Sequence, residues 1–451
     1  LTVLERPPKL ARGFQESRDS MFARVSGLAL AAALLGAPAF AAPSAAQVAA
    51  AAKAVQPKVV AWRRDIHEHP ELGNQEVRTA ALVAKELRAL GFEVREGVGR
   101  TGVVGVLKGG KPGKVVALRA DMDALPVEEK TGLPFASKVT APWEGRTLPV
   151  MHACGHDTHV AMLLGAATVL AGMKAEIPGT VVVIFQPAEE GSQAGEEGGA
   201  LLMVRDGVLD HPKVDAIFGL HIGPGDAHAL NYRAGGFYAG SERMTITVKG
   251  KQTHGARPWA GVDMASVSAD IVQAFNQIAA RQIDVGASPT VLTVATINMG
   301  VRNNIIPEDL VMTGTLRTFN PARRADVIDR VQKTVAAIGD RYGAKAQAVF
   351  TQPYPVTYND PALSAWVKAS LEKASPGKVD DQAALVTGAE DFSRYGEKIP
   401  AVFVQLGGRP ANVPAATAPA NHSPYFDVDE AVFETGVKAE VLMALDYLAK
   451  K

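Results

Sequence analysis

Cys154 and His156 stand two residues apart in the segment His152-Ala153-Cys154-Gly155-His156-Asp157-Thr158-His159. A thiolate and an imidazole at that spacing reach one metal centre. Cys154 is the chain's only cysteine, so no internal disulfide accounts for it. It lies just before an expected helix N-terminus, whose partial positive charge favours a thiolate. Downstream come the adjacent carboxylates Glu189-Glu190 and two more candidate ligands, His221 and His422. Neighbouring side chains at a strand end point in different directions. One carboxylate can bind metal while the other faces a water molecule, the division between ligand and general base that hydrolysis needs. Asp121 and Asp123 close an apolar run and suit a supporting role, fixing the tautomer of a ligand histidine. Taken singly, a lone cysteine is a small apolar core residue and paired glutamates are a solvated turn. The metal reading rests on the whole set.

The same residues admit two rivals. Cys154 as a nucleophile with a histidine base makes a thiol hydrolase. A periplasmic protein that binds metal or peptide without turnover needs the ligands but not Glu189. Chelation separates the first rival from the metal reading, and saturable turnover excludes the second.

These residues must be held by regular elements, and the pattern supplies them. Helices are expected over Val59–His69, stopped by Pro70, and over Glu76–Leu90, ended by Gly91. A helix over Thr158–Leu170 follows the Cys-Gly-His segment. Strands are expected over Val103–Lys108, Val115–Arg119, Thr180–Gln186 and Ala216–His221. The candidate residues fall at strand C-terminal ends, where open α/β sheets place their sites. From residue 244 the order becomes strand Met244–Lys249, helix Val262–Ala280, strands Val291–Met299 and Asp309–Phe319, helix Ala322–Arg341, strand Ala346–Thr351. That βαββαβ order suggests a small ferredoxin-like α+β domain. It interrupts a catalytic α/β domain with a mixed, largely parallel central sheet, giving catalytic parts over 42–240 and 352–451 around an insert over 241–351.

With 451 residues, two domains are expected. Lys plus Arg and Asp plus Glu are equal at 47 each, which leaves no electrostatic case for nucleic acid. Residues 1–41 read as an upstream tail and a secretory signal. Arg24 is the charged region, Leu28 to Leu35 the short apolar run and Ala39-Phe40-Ala41 the cleavage site. Export to the periplasm or beyond is the expectation, with no membrane anchor. An Ala-rich linker is expected over Ala41 to Ala52.

Several motifs occur in one order: Arg119-Ala120-Asp121-Met122-Asp123-Ala124-Leu125-Pro126, the Cys154 segment, Phe185-Gln186-Pro187-Ala188-Glu189-Glu190, Gly219-Leu220-His221, Gly388-Ala389-Glu390-Asp391-Phe392-Ser393 and His422-Ser423-Pro424. On these the chain resembles the di-metal aminoacylase/carboxypeptidase amidohydrolases, and among them the hippurate hydrolases and auxin–amino-acid conjugate hydrolases. The resemblance implies two divalent metal ions, zinc or manganese, with nickel or cobalt as alternatives. It implies Cys154, His156, Glu190, His221 and His422 as ligands and Glu189 as general base. His254 matches a lid histidine that polarises the substrate carbonyl, often from a neighbouring subunit. Asn304, Gly388 and Arg317 match substrate-contacting positions, Arg317 facing a carboxylate. The insert serves as lid and dimer interface, so a homodimer is implied. The wider family carries histidine where this chain has Asp121 and aspartate where it has His156. The implied reaction is hydrolysis of the amide of an N-acyl amino acid or peptide-like substrate by metal-activated water. A dipeptidase or carboxypeptidase of the same mechanism is the alternative.

Overall fold

Runs of Val, Ile, Leu and Phe make the middle strands of an eight-stranded sheet, because β-branched and aromatic side chains fit a surface buried on both faces. The structure, a computed structural model, describes residues 43–375 and 378–450. In chain order the twelve strands of its two larger sheets are β1 (Glu93–Val98), β2 (Gly102–Lys108), β3 (Lys111–Asp121), β4 (Pro178–Gln186), β5 (Ala216–Gly223), β6 (Leu230–Asn231), β7 (Gly240–Lys249), β8 (Thr290–Met299), β9 (Asp309–Thr318), β10 (Lys345–Tyr354), β11 (Val379–Asp380) and β12 (Ala401–Gly407). The large sheet runs β1-β2-β4-β3-β5-β12-β6-β11. Its centre, β4-β3-β5-β12, is parallel, while β1, β2 and β6 pair antiparallel with their inner neighbours. The sheet is therefore mixed, as the sequence pattern implies.

Seven longer helices are α1 (Ala45–Glu68), α2 (Val77–Ala89), α3 (His156–Gly172), α4 (Met264–Gln277), α5 (Pro321–Tyr342), α6 (Pro361–Ala374) and α7 (Phe433–Ala449). α1, α3 and α7 pack on one another, and α3 and α7 also meet β3. α3 is buried nearly all round, from His156 to Leu170, as a helix wedged between a sheet and two other helices must be.

α1 corrects the sequence reading. Within the Ala-rich stretch expected as a linker, Ala45–Ala52 is the start of a 24-residue helix. Ser44 and Gln47 form a reciprocal capping box at its start, which satisfies two otherwise unpaired N–H groups. Val48, Ala52, Val55, Val59, Trp62 and Ile66 then form one buried stripe, and alanine is the best helix former between them.

The smaller sheet runs β8-β9-β7-β10, all antiparallel. α4 and α5 cover one face, and Met244, Ile246, Val248, Leu310, Met312 and Leu316 join them in a core separate from that of the large sheet. The βαββαβ order thus spans 240–354, several residues beyond the expected ends. The secretory-signal features and cleavage site at Ala39-Phe40-Ala41 lie outside the described residues. Among the described residues no helix is long and apolar enough to cross a membrane.

Candidate metal centre and catalytic site

β3, β4 and β5 are parallel neighbours, so their C-terminal ends lie together. The first two feed the segments carrying Asp123 and Glu189-Glu190, and the third carries His221. α3 begins at His156 directly beneath them. Gly155 before it adopts φ +91°, and a Cβ there would stand 2.6 Å from Ile222 Cγ2. Only glycine permits both the left-handed turn and that approach. The turn presses the start of α3 onto the end of β5 and brings Cys154 Sγ to 3.5 Å from His221 Nε2.

Among the described residues five donor groups have their ligand atoms within 4.8 Å of one another; three are made of expected ligands and the expected base, Cys154–His156–His221, Cys154–Glu190–His422 and His156–Glu189–Glu190, and two run through Asp121, with His156 and His159 and with Glu189 and Glu390. All five expected ligands and the expected base are in this set, and Cys154 is common to the first two groups. The donors suit divalent cations. His156 Nε2 is buried with no hydrogen-bond partner among the described residues, while its Nδ1 is held by Asp123 Oδ1 at 3.2 Å. His221 donates from Nδ1 to the Ile222 carbonyl at 2.7 Å, which leaves its Nε2 lone pair facing Cys154. Each imidazole is thus fixed through one nitrogen and presents the other, the arrangement of a metal-ligating histidine. Glu190 Oε1 lies 2.9 Å from His422 Nε2 yet makes no aligned hydrogen bond. Sulfur, nitrogen and oxygen donors together fit zinc and its first-row neighbours.

Electrostatics point the same way. Burial, then the Glu190 and Glu189 carboxylates, push the Cys154 thiol well above its ordinary range. The helix end expected to favour a thiolate does not offset them, so deprotonation here calls for a cation. Burial opposes charge on His156, but Asp121 and Asp123 outweigh it and raise the imidazole to about 10. A neighbouring cation takes the place of that proton. Burial, Glu390 and Glu190 push the Glu189 carboxyl well above the usual carboxylate range, the direction that makes a carboxylate a better base.

Arg119, 1% exposed, ties the base of the site together. Its guanidinium donates to Asp121 Oδ2 at 2.6 Å, to Glu390 Oε1 at 3.0 Å and to Asp391 Oδ1 at 3.0 Å. Asp391 in turn accepts from Gln186 at 2.7 Å and from the Ala200 N–H at 2.7 Å. The Asp391 N–H donates to Glu189 Oε1 at 3.4 Å. Asp123 bonds His156 and also accepts the Glu190 N–H at 2.9 Å. Asp121 instead holds His159, whose Nδ1 lies 2.5 Å from Oδ1 and whose Nε2 accepts the Ile222 N–H at 2.8 Å.

A cavity of about 510 Å³ opens above the donors and is lined by Cys154, Glu189, Glu190, His221 and His422, with Gly388 and Arg317 also in its wall. His254 and Asn304 are not among its lining residues. Within one chain the structure does not bring them to the donors. Both are exposed, His254 in a two-stranded pairing of Thr253–His254 with Ile305–Ile306 and Asn304 just before it, and the Gly255 N–H donates to the Asn304 carbonyl at 2.8 Å. The site also contains residues that the sequence reading did not single out. Arg119 and Glu390 lie inside quoted motifs, and their charges were the available signal. Ser241, Tyr354, Asn231 and Gln405 line the same cavity and carry no motif; strand order alone brings them there.

The model of peptidase family M20/M25/M40 matches residues 117–446. The chain is 43% identical over 403 residues to thermostable carboxypeptidase 2 of Saccharolobus solfataricus, covering 88% of this chain and 97% of that protein. It is 36% identical over 410 residues to IAA-amino acid hydrolase ILR1-like 2 of Arabidopsis thaliana, covering 88% of each. Among solved structures it resembles the Bacillus subtilis YXEP protein, described as a dinuclear metal-binding peptidase, with a TM-score of 0.74 and 32% identity over 88% of this chain and 99% of that one.

Proposed function

The chain belongs to peptidase family M20/M25/M40 and is a metallo-hydrolase, and on that premise we propose that it cleaves the amide bond of N-acyl amino acids, in the manner of the hippurate and auxin-conjugate hydrolases. The observation that carries the reading is the buried Glu189 carboxyl beside a donor set that shares Cys154. Two divalent ions, zinc or manganese, would be held by Cys154, His156 and His221 and by Cys154, Glu190 and His422; when bound they supply Lewis acidity towards water and the amide carbonyl.

Glu189 does the proton work. It accepts a proton from the attacking water at a carboxylate oxygen and returns it to the leaving nitrogen. Asp123 and the Ile222 carbonyl keep the two ring-donor histidines in one tautomer each. Arg317 pairs with the substrate carboxylate, and Gly388 lets the substrate backbone approach the wall. The smaller sheet and its helices act as a lid and dimerisation surface. His254 and Asn304 reach the site of a second copy, where His254 donates to the developing oxyanion.

The second reading is a carboxypeptidase or dipeptidase of the same chemistry, favoured by the 43% identity to a carboxypeptidase. One experiment tests both. Hydrolysis of N-acyl amino acids and dipeptides is followed after chelation, and again after zinc, manganese, cobalt or nickel is restored. Turnover that vanishes and returns supports the reading, and the preferred substrates decide between its two forms. Turnover that survives complete metal removal defeats it in favour of a thiol hydrolase.

A further inference from the structure

Two rows of side chains line the cavity above the donors, one from each sheet. In the large sheet Gln405 of β12 is in register with His221 of β5 on one side and Asn231 of β6 on the other. Residues in register share a face. The row His221–Gln405–Asn231 therefore leads away from the metal donors across two strand spacings, about 10 Å. Ring contacts support the shared face: Phe403, two residues before Gln405, meets both His221 and Tyr238. In the smaller sheet Ser241 of β7 is in register with Arg317 of β9 and with Tyr354 of β10. All six residues line the same cavity.

The two rows differ in chemistry. Arg317 is half-buried and has no ion pair or hydrogen bond among the described residues, so its row offers a cation. The other row offers uncharged amides beyond His221. Gln405 donates from Nε2 to the Tyr238 hydroxyl at 2.6 Å, which fixes the amide and leaves Oε1 without a protein partner among the described residues. The Asn231 amide likewise has no such partner. A hydrocarbon group placed against these amides would strip them of water and return nothing. A charged group would lose more solvation than two amides restore. A group with its own donor and acceptor meets neither penalty.

We infer that Gln405 and Asn231 form a specificity subsite for an uncharged hydrogen-bonding group, a carboxamide, a hydroxyl or a further peptide unit, on a substrate whose carboxylate faces Arg317. This rests on the amide-hydrolase reading above and narrows its substrates to those with a polar, uncharged group that reaches one to two strand spacings, about 5–10 Å, along the row from His221.

The test uses the full-length, metal-loaded protein and two matched substrate pairs. N-acetylasparagine against N-acetylleucine varies the amino-acid side, and N-succinamoylglycine against N-(4-methylpentanoyl)glycine varies the acyl side, with each carboxamide reaching about 5 Å from the reacting carbon. N-acetylglycine is the common reference. The expected result is a preference in kcat/KM of about tenfold or more for the polar member of one pair. That preference falls about tenfold in Asn231→Leu and in Gln405→Met, with Asn231→Ser used if leucine disturbs the short strand. Hydrolysis of N-acetylglycine without a polar preference in either pair overturns the subsite alone, as does a preference that both variants retain. No hydrolysis of N-acetylglycine or any pair member overturns the amide-hydrolase reading and the subsite with it.

Discussion

Arg119 and Glu390, separated by 271 residues of chain, meet at 3.0 Å with 1% and 2% of their side chains exposed. The same guanidinium also pairs with Asp121 and Asp391. Removing one member of a buried charge group strands the rest, at a cost of about 3–5 kcal/mol. Arg119→Met is expected to lower the unfolding free energy by about that amount, measured by denaturant titration of chelated protein. Arg119→Lys keeps the charge but not the fork and should recover only part of it. Equal stability of the methionine variant and the parent would show that the three carboxylates are protonated or hydrated instead.

Glu189→Gln changes one oxygen to an amide and leaves the five expected ligands in place. Metal content by mass spectrometry should stay within experimental scatter of the parent, while kcat falls by about two orders of magnitude or more. Near-normal turnover would remove Glu189 from the role of base.

Cys154→Ser replaces a soft donor that belongs to two of the three-donor groups. Affinity for zinc is expected to drop about tenfold or more. Chelation should lower the thermal midpoint of the parent more than that of the variant, since the parent has more binding free energy to lose. Equal chelator sensitivity in the two proteins would argue that the sulfur does not bind.

Glu440 in α7 is buried, and its Oε2 has no hydrogen-bond partner among the described residues. Burial alone raises its carboxyl well above the ordinary 4.5. The folded chain then holds the proton while the unfolded chain releases it above that value. Stability is full below about pH 4.5 and falls as pH climbs towards the folded value. Glu440→Gln removes the ionisation. The variant should be about 1–3 kcal/mol more stable than the parent at pH 8 and nearly equal to it at pH 4. Parallel pH profiles in thermal unfolding would contradict this.

The donor set was legible because its residues sit in short motifs at strand ends, where the direction of the chain is fixed locally. Cys154, His156, Glu189, Glu190, His221 and His422 all fall in one cluster for that reason. What depended on long-range pairing was not legible. β12 inserts between β5 and β6, and without that order Gln405 and Asn231 are two ordinary polar residues. His254 and Asn304 sit in family-like segments, but a separate two-stranded pairing leaves them exposed and outside the cavity wall within one chain. α1 was misread where composition outweighed the cap: Ser44 and Gln47 at the right spacing were the signal.

The single cysteine at the common vertex of two donor groups gives the protein a built-in gauge. With one sulfhydryl per chain, every reaction with a thiol reagent is counted at Cys154 and nowhere else. The slowing of labelling by added metal, measured against metal-free protein at a pH high enough to ionise the raised thiol, therefore reports occupancy of that vertex without any substrate.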